Sequence, residues 1–122
     1  MITSSLAFYP CGDLAAAQEF YTQVVGLRLV FSTDTVRVFG CAQGYIGFVN
    51  YGKPETAGPH VCISFNCASE AEVDVEYQRI CRMGYPTKAP PARHPTQPVY
   101  SFFLQDPNGY TVEFEKLEGL AL

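Results

Sequence analysis

The chain contains no tryptophan, only two histidines, and only eight lysines and arginines among 122 residues. The basic residues are scattered and twelve acidic ones outnumber them, leaving a net charge of -4. There is no basic stripe to meet a nucleic-acid backbone or an anionic membrane surface. No apolar run approaches the roughly 20 residues a membrane span needs. The opening stretch MITSSLAFYPCGD lacks the basic start and long apolar run of a secretory signal, so a cytoplasmic location is expected. The five cysteines (Cys11, Cys41, Cys62, Cys67 and Cys81) form no CxxC pair. An odd number in a reducing compartment reads as free thiols, with Cys62, Cys67 and Cys81 as small buried hydrophobes. The phosphate-cradling loop, the dinucleotide fingerprint and the Ser-His-Asp pattern are all missing.

What is present is apolar. Hydrophobic residues make up 48% of the chain, with nine phenylalanines and eight tyrosines. That is enough for a packed core in one domain over residues 1–122. SSLAFYP reads as a strand. Asp13 is a good N-cap for a helix over 14–25, whose face carries Leu14, Ala17, Tyr21 and Val24, with Gly26 as its terminator. LRLVFST and TVRVFG follow as strands around a turn near Ser32 to Asp34, and YIGFVNY is a further strand ended by Gly52 and Pro54. The order then repeats. HVCISFN is a strand, and Ser69 with Glu72 forms a capping box for a helix whose stripe is Val73, Tyr77 and Ile80. Gly84 closes that helix, YPTKA reads as a short edge strand, and APPARHPTQP as a loop. VYSFFLQ and YTVEFEK are the last strands, joined by the turn DPNG. The fold class is therefore α+β: two tandem βαβββ modules, about 1–55 and about 56–122, with curved, mostly antiparallel sheets around a cleft and the helices outside. GYIGF (44–48) echoes GYTVE (109–113) and sets Phe48 opposite Glu113 in the repeat.

Two segments, AFYPCGDLAAAQEFYTQVVGLRL and FFLQDPNGYTVEFEK, resemble the vicinal oxygen chelate superfamily. That group includes glyoxalase I, bleomycin and fosfomycin resistance proteins and extradiol dioxygenases. The resemblance implies a fold that hosts binding proteins, isomerases, lyases and oxygenases alike. It also implies a homodimer and, in metal-dependent relatives, four ligands for Zn, Fe, Mn or Ni. These are a His or Gln on the first strand of each module and a Glu on the last. A divalent ion held so keeps open positions for two adjacent substrate oxygens. Here Glu113 and His60 match two of those positions, while Leu6 (or Ser5) and Phe48 stand at the others and donate nothing. The expectation is a cleft without the family metal. His60 and Glu113 then remain as an acid–base pair or as a residual metal pair aided by Cys62; otherwise His60 is a hydrogen-bonded strand-start residue without a role and Glu113 a solvated residue near the cleft mouth.

Period two assigns the cleft wall. It places Leu6, Phe8, Ile46 and Phe48 there from the first module, and Cys62, Ser64, Ser101, Phe103 and Thr111 from the second. Phe102 and Leu104 fall beneath the helix, and Glu115 reads as solvated. His94 reads as a loop residue, and the resemblance implies a loop over one end of the cleft, where Arg93 or His94 would meet an anionic ligand; Lys53, Arg79, Arg82 and Lys88 read as solvated. Such a wall suits an apolar or aromatic organic molecule. The reading is a small-molecule binding protein resembling those that sequester bleomycin. The alternative is an isomerase, lyase or oxygenase using His60 and Glu113.

Overall fold

The structure, a computed structural model, describes residues 1–52, 58 and 60–121. Pro54 and Lys53, read as a strand end and a solvated cation, lie outside that range. The chain forms two compact units. The first comprises Met1–His60 with Asp106–Gly109, and the second Val61–Gln105 with Tyr110–Leu122.

In the first unit β1 (Leu6–Pro10) leads to α1 (Leu14–Glu19), then to β2 (Arg28–Ser32), β3 (Val36–Cys41) and β4 (Gly44–Val49). The strands lie in the order β1-β4-β3-β2. β1 runs parallel to β4, and the other pairs are antiparallel. Asp13 caps α1 by accepting from the Ala16 N–H at 2.9 Å. The helix expected over 14–25 is continuous, but its second half, Phe20–Val25, widens into π-helical turns. Thr22 Oγ1 donates to the Gln18 carbonyl at 2.7 Å, competing for an acceptor that a strict α-helix would give to the Thr22 N–H. Gly26, at φ +93°, ends the segment where only glycine is unstrained.

The second unit repeats the plan. β5 (Cys62–Asn66), α2 (Glu70–Arg82), β6 (Ala92–Arg93), β7 (Val99–Gln105) and β8 (Thr111–Leu117) form the sheet β5-β8-β7-β6. The β5–β8 pair is parallel and the remaining pairs antiparallel. Ser69 caps α2 by accepting from Glu72 N at 3.2 Å, and Glu72 reaches back to the Ala68 N–H. The edge strand departs from expectation. YPTKA forms no strand: Lys88 N donates to the Phe103 carbonyl and the Tyr85 hydroxyl to the Gln105 carbonyl, while Pro86 brings no backbone donor. The two-residue strand is instead Ala92–Arg93, inside the segment expected to be a loop.

Each sheet buries one face under its helix. In the first unit that face carries Arg37 and Phe39 of β3 and Ile46 and Phe48 of β4. Tyr21 stacks on Phe48 with ring centroids 4.7 Å apart, and Phe39 lies 5.6 Å from Tyr21. In the second unit the Phe102 and Phe114 rings stack, and Tyr77 of α2 meets Phe102 edge-on. Phe102 and Leu104 thus pack as period two predicts. Among the described residues no helix is long and apolar enough to cross a membrane.

Candidate functional site

β8 places Thr111, Glu113 and Glu115 on the face away from α2, and the register sets them beside Cys62, Ser64 and Asn66 of β5. Across β7 the same face takes Ser101 and Phe103. Cys62, Ser64, Ser101, Phe103, Thr111 and Glu113 therefore share one open face. Glu113 is its anchor. Only 9% exposed, it accepts the Ser64 hydroxyl on Oε1 at 2.6 Å. The Cys62 thiol donates to the same oxygen at 3.7 Å and also contacts Ser64 Oγ at 3.6 Å. Two donors converge on a carboxylate that sits mostly out of water, the arrangement that lets a buried carboxylate persist.

The cluster disfavours a reactive thiolate. Partial burial raises the Cys62 thiol above its ordinary value, a Ser64 hydrogen bond partly offsets this, and the Glu113 carboxylate adds to the rise. Cys62 is exposed, as are Cys41 and Cys81, whereas Cys11 is buried and Cys67 half-buried. The small-hydrophobe reading thus fails for Cys62 and Cys81. Burial pushes the Cys11 and Cys67 thiols up to about 11.

Glu115 is the residue that sequence reasoning set aside as solvated. It is half-buried two residues beyond Glu113. Burial, then the Glu113 charge, raises its carboxyl above the ordinary carboxylate range, with Ser64 partly countering. The signal was available: period two from Glu113 leads directly to Glu115. A carboxyl raised on folding binds its proton more tightly in the native state. Its contribution is full below the unfolded value and is lost as pH rises through the folded one. Glu115→Gln is therefore expected to flatten the fall in melting temperature as pH climbs upward from about 4.5. Melting curves of both proteins between pH 4 and 7 check this; parallel profiles would refute it.

The first unit's open face corrects the sequence reading. Leu6 and Phe8 stand on it as expected, paired with Tyr45 and Gly47. Ile46 and Phe48 do not: they lie on the opposite, helix-covered face, and Phe48 is wholly buried. β4 is apolar on both faces, so its pattern carries no sign of which one packs. A bulge between Leu29 and Phe31 turns Phe31 to the side of Val38, and Val30 reaches toward Gly40 on that same open face.

His60 is exposed and lies in a turn two residues ahead of β5, not in the strand. His94 Nδ1 accepts the N–H groups of Thr96 and Gln97 at 3.1 Å, which makes it a loop-forming residue. Arg93 pairs with Glu70 at 2.5 Å. These two line part of a groove of about 460 Å³ with Ser69, Tyr100, Lys116 and Glu118, where both charge signs occur. Among the described residues no three His, Cys, Asp or Glu side chains gather as a metal-binding group. The donor set does not fit the four-ligand metal of the resemblance: β1 and β4 bring none of these side chains to the open face of the first unit.

Two four-stranded mixed sheets, each backed by one helix and built in the same strand order, define a duplicated βαβββ protein. Residues 4–114 match the model of the Glyoxalase/Bleomycin resistance protein/Dioxygenase superfamily, and the chain belongs to that family. It is similar in fold to a lactoylglutathione lyase from Agrobacterium tumefaciens, with 24% identity and a TM-score of 0.78 over 98% of this chain and 97% of the other. A glyoxalase/bleomycin resistance protein/dioxygenase from Nocardioides matches at 24% identity and a TM-score of 0.77, over 98% of this chain and 87% of that one. A glyoxalase-related enzyme from Fulvimarina pelagi matches at 19% identity and 0.72, over 95% and 88%. No match was found among curated proteins.

Proposed function

We propose that this protein binds a small apolar or aromatic organic molecule without the divalent metal of its metal-dependent relatives. The observation that carries the reading is Glu113, a carboxylate nine-tenths buried, fixed by Ser64 on an open sheet face and surrounded there by neutral side chains and Glu115. A fixed acceptor among Phe103, Thr111 and Ser101 orients a ligand that brings a donor. Assembly as a homodimer in the cytoplasm belongs to the same reading.

A ligand screen by thermal shift, followed by calorimetry and mass spectrometry of the recovered compound, tests it. The expected result is one molecule per chain, released unchanged. Glu113→Gln is expected to weaken binding by about ten- to a hundredfold, the loss of a hydrogen bond to a charged group. Steady conversion of the compound would overturn the binding-protein reading. A stoichiometric first-row metal in protein purified without chelators, lost in Glu113→Ala, would overturn its metal independence.

A further inference from the structure

The open face of the second unit carries two carboxylates and no opposing charge. Glu113 and Glu115 stand on it two positions apart along β8, which puts their Cα atoms about 7 Å from one another. Among the described residues the ion pairs are Arg79–Glu76 and Arg93–Glu70, so neither of these carboxylates is paired with a cation. The strand registers set Ser64 and Asn66 of β5 and Ser101 and Phe103 of β7 beside them, all neutral. Each carboxylate raises the cost of keeping the other ionised, and burial adds to it. A cation brought between the two offsets both costs.

Two polar atoms on the same face have no protein partner. The Ser64 hydroxyl and the Cys62 thiol both donate to Glu113 Oε1, which leaves Oε2 without a hydrogen bond among the described residues. Ser101 is only 7% exposed, and its hydroxyl makes no hydrogen bond among them either. Every fully enclosed side-chain oxygen among the described residues does have a partner. Glu113 Oε2 and Ser101 Oγ are therefore the reachable ends of two residues that are each more than nine-tenths buried. Ser101 lies directly opposite Glu115 in the β7–β8 register, with Cβ atoms about 5 Å apart. A buried hydroxyl normally finds a partner within the protein, so one left free beside a carboxylate points to a ligand.

We infer that this face binds a protonated primary amine carried by the ligand, with Glu113 Oε2, the Glu115 carboxylate and Ser101 Oγ accepting its three N–H donors. The inference rests on the small-molecule reading above and names the ligand's class, an organic ammonium ion with an apolar or aromatic body. A primary ammonium is a compact charge with three donors, which matches two carboxylates and one hydroxyl. Phe103, directly opposite Glu113 and half-buried, offers its ring to the carbon body beside the charge. Every group in this site belongs to the second unit.

Calorimetric titration with 2-phenylethylamine near neutral pH tests it. 2-Phenylethanol is the uncharged counterpart, and phenethyltrimethylammonium keeps the charge but has no N–H donors. The amine is expected to bind about tenfold more tightly than either. Glu115→Gln, which keeps the shape of the side chain, is expected to lose about tenfold in amine affinity and to leave the alcohol unaffected. Ser101→Ala is expected to weaken the amine several-fold and to leave the trimethylammonium unaffected. Cooperative melting of both variants shows that the fold is kept. Equal affinity for amine and alcohol overturns the inference, as does the absence of saturable amine binding at millimolar concentration. Trimethylammonium bound as tightly as the amine overturns the three-acceptor arrangement, and so does amine affinity that neither variant changes. Ca²⁺ or Zn²⁺ bound one per chain and lost in Glu115→Gln also overturns it, because the counter-charge is then a metal. If neutral screened compounds bind in a Glu113-dependent way and the amine does not compete with them, the ammonium site fails and the binding-protein reading stands. If the amine binds with the expected losses while a screened compound is steadily converted, the site stands and the binding-protein reading fails.

Discussion

Phe48→Ala is expected to destabilise the protein by about 3–5 kcal/mol, the cost of removing a fully buried phenylalanine from a packed core. Phe48 stacks on Tyr21 and lies within about 6 Å, centroid to centroid, of the Phe39 and Tyr9 rings. Truncation would leave a cavity between helix and sheet that three large rings cannot collapse into without leaving their rotamers. Phe8→Ala is the matched control. Phe8 lies on the opposite face and is half exposed, so its truncation is expected to cost about 1 kcal/mol or less. Urea unfolding of the two variants separates the faces of β4 and β1 directly. Near-native stability in Phe48→Ala would place that residue back on the open face.

The second large effect lies at Asp106. This residue is buried, and its carboxylate accepts the Tyr21 hydroxyl at 2.8 Å and the Asn108 N–H at 2.9 Å. Asp106→Ala removes a charged acceptor from a buried hydroxyl and from the turn that follows it. About 2–4 kcal/mol of stability is expected to go with it, since hydrogen bonds to charged groups are the strong ones. Tyr21→Phe should remove part of the same energy. A double-mutant cycle is the proper measurement, with a coupling of about 1 kcal/mol or more expected between the two. Strictly additive losses would show that the Tyr21–Asp106 contact contributes little.

Where one face of an element is polar and the other apolar, the sequence is readable. β8 alternates Thr111, Glu113 and Glu115 with Val112 and Phe114, and its faces follow from period two. Asp13 and Ser69 announce both helix starts by their capping chemistry. β4 defeats the same logic, because Tyr45, Ile46, Phe48 and Val49 are all apolar and only the position of the helix decides between them. The echo of GYIGF with GYTVE misaligned the repeat by one residue for this reason. Strand registers put Gly47 opposite Glu113 instead. The β2 bulge and the π-helical turns left no local signal. His60 was carried into a strand by its neighbours, although pairing begins at Cys62. Asp106 was legible as a turn former and not as a core acceptor, because its partner stands 85 positions away.

The seating of residues 106–109 in the first unit bears on how the chain folds. The Asn108 side chain accepts the backbone N–H groups of Gly12 and Asp13 and donates to the Asp13 carbonyl, across 95 or more positions. On the ribosome, residues 1–60 emerge long before these partners exist. The first unit therefore waits for nearly the whole chain before its helix start and its Tyr21 hydroxyl are satisfied. Such non-local closures slow folding and lengthen the time that apolar surface stays open. For the same reason a cut between His60 and Val61, natural as it looks from the duplication, severs the first unit from part of its own core.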